Sequence, residues 1–302
     1  MISSFFASKN IDNSFTFTVT AATPSYLEAT KSSGTAIWNL NNEKVVSSSS
    51  IIGAETMNGA GPNYTIKLIS DSFEKFSLLH LSNLKGHVDL TKFTQSAAFN
   101  ISGSKGLTGI TNPHSSIPMT SYYADSCNLI GTLDMKSLSG LGGIFYVYSN
   151  PNLISITNPN SSEIFTEYNV QTCNLTGTLN LSGLTKLGGV VNVAYNSNLT
   201  SIVFPISTQP FIRIAMFNCP GLNYVNLYPL SASTSNDVEI NIQNNSWTTS
   251  MINHMFYDLD QIGWINGKFF LNGNPPPDSS SGGFDGIASK TNLLGKGWAV
   301  GL

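Results

Sequence analysis

The stretch CNLIGTL, Cys127 to Leu133, returns as CNLTGTL, Cys173 to Leu179, 46 residues later, and a third cysteine, Cys219, follows after 46 more. Between them SNPNLISITNP, from Ser149, and YNSNLTSIVFP, from Tyr195, are offset by the same 46 residues. The unit is therefore double, two half-units of 23 residues. Ile101, Ala124, Val147, Val170, Val193 and Met216 recur at that shorter step, each preceded by two positions by Phe99, Tyr122, Phe145, Tyr168, Val191 or Ile214. Apolar residues spaced by two share one face of a strand, so each half-unit carries a strand whose inner face is apolar.

Three residues beyond each anchor stands a small polar or thiol residue: Ser104, Cys127, Asn150, Cys173, Asn196 or Cys219. A leucine follows soon after, at Leu107, Leu129, Leu153, Leu175, Leu199 or Leu222. Where a strand turns away, an inward Asn or Cys can bond the backbone groups that the bend leaves unpaired. The order of residues resembles the leucine-rich-repeat pattern L-x-x-L-x-L-x-x-N/C-x-L over roughly residues 73 to 274. The first leucine position departs from it, at Ser96, Gly142 and Gly188. The resemblance implies an all-β to α/β solenoid of stacked coils of about 23 residues, a binding or structural surface rather than an enzyme.

The flanks differ. Residues 1–70 lack the repeat, and FTFTVTAAT, TAIWNLNN and YTIKLIS read as strands of a small β-sandwich or β-cap domain, ahead of a solenoid over 71–302. With Trp38 at the place of the family's tryptophan, this segment resembles Ig-like domains of the polycystic-kidney-disease type, although NLNNE lacks the acidic-glycine turn of that family. Beyond the regular coils, strands are expected near Val238 to Ile242 and Phe269 to Leu271. Trp247, Met251, Met255, Leu259 and Ile262 predict a helix packed on the core between them. After the loop NGNPPPDSSSGG, helical spacing at Ile287, Leu293 and Leu294 and a strand from Trp298 predict a helix-strand cap over 275–302. LGGIF and LGGVV are expected at coil corners. This ending resembles the tails of leucine-rich-repeat surface proteins of Bacteroidetes-type bacteria and their phages.

Charged residues make up 10% of the 302, against about 25% in a usual soluble domain. With 14 Lys plus Arg against 17 Asp plus Glu, the net charge of −3 offers no footprint for nucleic acid. No apolar run is long enough to cross a membrane, and MISSFFASKNIDNS has the features of no export signal, so the chain reads as an unprocessed product. No metal-ligand spacing links His80, His87, His114 and His254, and no nucleophile elbow, phosphate loop or dinucleotide fingerprint is present. Catalysis, a metal and a cofactor are accordingly not expected. Two strand spacings separate neighbouring cysteines, about 9 to 10 Å, more than a disulfide spans, so Cys127, Cys173 and Cys219 are expected as structural ladder residues with Asn150 and Asn196.

In a solenoid the residues flanking each inward anchor line one extended face. Here they are Tyr123, Asp125, Tyr146, Tyr148, Asn169, Gln171, Asn192 and Phe217, with Asn100, Ser102, Asn241 and Gln243 above and below. Tyrosines among neutral hydrogen-bonding groups suit a glycan or a low-charge protein surface; such residues also make good cross-strand pairs without any ligand. The expected function is a non-enzymatic virion component of a bacteriophage, spike-like or fibre-like, that contacts a host surface glycan or protein. Its N-terminal domain would join other virion proteins, and homo-oligomerisation stays open. The alternatives are a bacterial cell-surface adhesin and a purely architectural virion protein.

Overall fold

In a computed structural model, residues 86–301 are described apart from 89, 91–97, 115 and 117, together with the backbone of the strands named below that precede or overlap this range. His80, Ser96 and the Trp38 side chain lie outside the described residues. The chain is a mostly parallel β-solenoid of about six regular coils with few helices.

One long sheet runs the length of the stack. From its C-terminal edge it takes Ala299–Gly301, Lys268–Phe270, Glu239–Asn241, Phe211–Ala215, Leu184–Asn192, Ser161–Asn169, Leu141–Tyr146, Met119–Tyr123, Ala98–Asn100 and Lys75–Ser77, all parallel. Glu28–Thr30 and Ile51–Ile52 then extend it antiparallel, so the 1–70 segment contributes two strands to the solenoid's own sheet. The remaining strands of that segment, Ser14–Val19, Tyr64–Ile69, Ala36–Leu40 and Glu43–Ser47, form a separate antiparallel sheet in that order.

The register holds the apolar columns directly above one another. Phe99, Tyr122, Phe145, Tyr168, Val191, Ile214, Ile240 and Phe269 are aligned partners, and all are buried. Ring centroids in this column stand 4.8, 5.5 and 4.9 Å apart from Phe99 up to Tyr168, a spacing at which offset rings attract. The two buried tyrosines keep their hydroxyls bonded: Tyr122 donates to Asn112 Oδ1 at 3.1 Å and Tyr168 to Asn158 Oδ1 at 3.0 Å. Each asparagine in turn donates to a carbonyl of the next coil, Asp134 at 2.8 Å and Asn180 at 3.0 Å.

The opposite face is not one sheet but three parallel pairs: Lys85–Asp89 with Gly106–Thr111, Gly131–Asp134 with Leu153–Thr157, and Gly177–Asn180 with Leu199–Val203. The last two each join a cysteine coil to the asparagine coil after it, so the 46-residue unit is a paired structure. After Val203 helices take over that face. Helix α1, Thr249–Ile262, starts at Thr248, whose side chain accepts from Met251 N, and stops at Gly263, which has φ 83°. As expected from its spacing it buries Met255, Leu259 and Ile262, along with Ile252 and Phe256. The coils lengthen to hold it: Ile214, Ile240 and Phe269 are 26 and 29 residues apart. Indole nitrogens tie the enlarged coils to earlier ones, Trp247 to the Leu222 carbonyl at 2.7 Å, Trp264 to Ser233 at 3.0 Å and Trp298 to Trp264 at 2.9 Å. Helix α2, Gly286–Gly295, and the edge strand Ala299–Gly301 follow. Of the residues that predicted α2 only Leu293 is buried; Ile287 and Leu294 are half exposed, and the helix is anchored by its Asp285 cap and by Lys296, whose ammonium lies 2.5 Å from Asp260.

Two local features differ from the expectation. Gly142, Gly143, Gly188 and Gly189 lie inside long-sheet strands, not at corners, and the register shifts beside Gly143 and Gly189. Gly143 and Gly189 have φ of 62° and 60°, and a Cβ at either would clash with the carbonyl of Thr120 or Thr166 in the preceding coil. The second feature is a left-handed residue at the end of every regular front strand: Gly103, Ser126, Ser149, Thr172, Tyr195 and Asn218, with φ between 54° and 76°. Only glycine takes that conformation without cost, which is about 1 kcal/mol for other residues and highest for a β-branched one. Gly189→Ala should therefore lower the unfolding free energy by about 2 kcal/mol or more, while exposed Thr172→Gly should raise it by about 0.5 kcal/mol. Urea unfolding of the two variants checks both signs.

Candidate functional site

The turn that ends each front strand is held by the ladder residues. Asn150 accepts from Leu129 N at 3.1 Å in the preceding coil and donates to the carbonyls of Ala124 at 2.9 Å and Val147 at 2.7 Å. Asn196 repeats this on Leu175 N, Val170 and Val193 at 3.1, 3.0 and 2.9 Å. The thiols give one direct bond each to the preceding coil, Cys127 to the Ile101 carbonyl and Cys173 to Val147 at 3.3 Å, and Cys219 to Val193 at 3.4 Å. All three cysteines are free and buried. Burial pushes the thiols of Cys127 and Cys173 up to about 12 and that of Cys219 to about 11.

Outside the sheet the register defines three columns. The middle one reads Asn100, Tyr123, Tyr146, Asn169, Asn192, Ala215 and Asn241. Its asparagines are structural: Asn100, Asn169, Asn192 and Asn241 each accept from the backbone N–H two residues on, at 3.0 to 3.2 Å. Asn192 also donates to Gln171 Oε1 at 3.0 Å. Asn169, expected on the exposed face, is only 8% exposed, and Asp125 equally so. Asp125 is sunk because hydroxyls surround it, with Ser102 Oγ at 2.5 Å and Ser126 Oγ at 3.2 Å.

Tyr123, Tyr146 and Tyr148 stand apart from these amides. They are partly exposed and pack edge to face, with centroids 5.3 Å apart from Tyr123 to Tyr146 and 5.6 Å from Tyr146 to Tyr148. Burial raises the Tyr146 phenol well above its ordinary range, and the nearby Glu167 carboxylate raises it further. Tyr148 is raised by burial first, then by the nearby charge of Asp125. Phe217 lies higher on the stack, 5.1 Å from the half-exposed ring of Tyr195.

The first column, Ser121, Ile144, Glu167, Val190, Arg213, Glu239 and Lys268, was not among the expected site residues. Its signal was available, since these residues precede the middle column by two and share its outward parity. Arg213 and Glu239 form an ion pair there at 3.0 Å. Elsewhere, a groove of about 640 Å³ on the flank is lined by His87, Asn112, His114, Asp134 and Lys136. Near α1, His254 is stacked between Tyr224 and Phe284 at 4.0 and 4.1 Å, and Tyr224 donates to Asp258. Among the described residues no three His, Cys, Asp or Glu side chains are grouped to hold a metal ion.

Comparison with family models, with curated proteins and with solved structures finds no match to this chain. The chemistry of the face therefore rests on its own geometry.

The thiol environment yields a prediction with a definite sign. The folded thiols titrate above their ordinary value of 9.0, so the stability they lend is fully present below pH 9 and lost as pH rises towards 11 to 12. The unfolding midpoint should fall across that window, less steeply in Cys173→Ala. At pH 8 a thiol reagent should modify none of the three cysteines in the folded chain and all three in denaturant.

Proposed function

We propose that the chain is a non-enzymatic recognition solenoid of the leucine-rich-repeat type, and that the front sheet around Tyr146 is where it meets its partner. One observation carries this reading. Tyr123 and Tyr146 occupy middle-column positions at which Asn100, Asn169, Asn192 and Asn241 cap the strand end. A tyrosine hydroxyl cannot reach its own backbone two residues on, so two successive coils forgo that bond and present aromatic surface instead. Departures from a local structural rule concentrate where function needs them. Aromatic side chains also dominate the binding energy of interfaces.

The ladder of Asn and Cys, with its bonds to the preceding coil, supports the leucine-rich-repeat assignment. In the same reading the solenoid is displayed on a virion and touches a host surface glycan or protein, while its N-terminal strands join other virion components. A flat, open face suits a macromolecular surface better than a small substrate, which calls for an enclosing pocket.

Tyr146→Ala combined with Tyr148→Ala should reduce attachment of particles to host cells by about tenfold or more, with the yield of assembled particles unchanged. Failure to assemble while the isolated chain unfolds at its usual temperature would instead assign this face to contact with a neighbouring subunit.

A further inference from the structure

The patch around Tyr146 carries charge that the stack itself does not neutralise. Asp125 accepts from the hydroxyls of Ser102 and Ser126. Glu167 is partly exposed and close enough to Tyr146 for its charge to raise the phenol. Among the described residues neither carboxylate has a basic side chain within ion-pair distance; the pairs present are Arg213 with Glu239, Lys296 with Asp260 and His254 with Asp258. Arg213, in the same column as Glu167 but two coils on, is thus already engaged. Hydroxyl donors stabilise an anion without cancelling its charge.

The rings add to the same sign. An aromatic face is the negative end of a quadrupole, and three such rings stand together beside the two carboxylates. A partly exposed carboxylate without a basic partner beside clustered π-surface is the complement of a cation.

Given that the front sheet is a recognition surface, we infer that Tyr123, Tyr146 and Tyr148, with Glu167, receive a lysine or arginine side chain of a partner protein. The alkyl stem of such a residue packs on the half-buried rings while its charged end reaches a carboxylate.

The test is calorimetric titration of the full chain with a decalysine peptide, and with the same peptide fully acetylated on its side chains. Binding is expected for the first, weakening as salt rises, and none for the second. Tyr146→Leu with Tyr148→Leu keeps apolar bulk and net charge but removes the rings, and should weaken binding about tenfold. Glu167→Gln should weaken it severalfold. Absence of binding, or binding equally tight in the double leucine variant, overturns the inference. So does a neutral oligosaccharide that binds the chain, loses binding in Tyr146→Ala/Tyr148→Ala and ignores Glu167→Gln. That last outcome leaves the front sheet as a recognition surface, whereas unchanged particle attachment in the double alanine variant removes the recognition reading itself.

Discussion

Everything in this molecule depends on how one coil is bonded to the coil before it at the turn that ends each front strand. Asn150 and Asn196 bridge that turn with both ends of an amide, accepting from Leu129 N or Leu175 N and donating to Ala124 or Val170. A thiol can donate but is a weak acceptor, so a column of cysteines alone would leave the N–H of every second residue after the turn without its side-chain partner. Alternation resolves this. The amide of each asparagine coil serves the cysteine coil before it, and the same two coils pair on the opposite face. Two different turn chemistries thus combine into one 46-residue structural unit.

The ladder also explains where the regular stack ends. Asn245 still accepts from Cys219 N at 2.9 Å, but its Nδ2, buried, has no hydrogen-bond partner among the described residues. Here the step between coils changes from 23 to 26 residues, and the donor no longer meets the carbonyls that Asn150 and Asn196 reach. Tryptophans take over the bonding between coils from that point, with their indole nitrogens on carbonyls of earlier coils. Asn274 then restores the amide pattern, donating to Ile242 and Leu271 and accepting from Trp247 N.

Much of the architecture was legible because it follows from a repeated requirement. The apolar columns, their register, the helix of the lengthened coil and the burial of the cysteines all follow from side-chain parity and period. The left-handed column was not legible, since Ser126, Ser149, Thr172 and Tyr195 carry none of the glycine signal that usually marks positive φ. Nor was the pairing of strands across the opposite face, two coils at a time. In the candidate site parity placed the tyrosines correctly on the outside. It could not separate an exposed side chain from one sunk among its neighbours, so Asp125 and Asn169 were read as accessible, and the partly exposed Glu167 was passed over.

A solenoid confines each coil's interactions largely to its neighbours, so stability is close to a sum over coils and their interfaces. That separation is what allows an unusual surface to persist. The bonds that Tyr123 and Tyr146 forgo are local to two coils, whose inner faces keep the aromatic column of Phe99, Tyr122, Phe145 and Tyr168 intact. Edge-to-face contacts among the outer tyrosines return part of the loss, about 0.5 to 1.5 kcal/mol for each aromatic pair. Substitutions on the outer columns can therefore retune what the sheet recognises without reaching the ladder that builds it, because inward and outward side chains alternate along each strand.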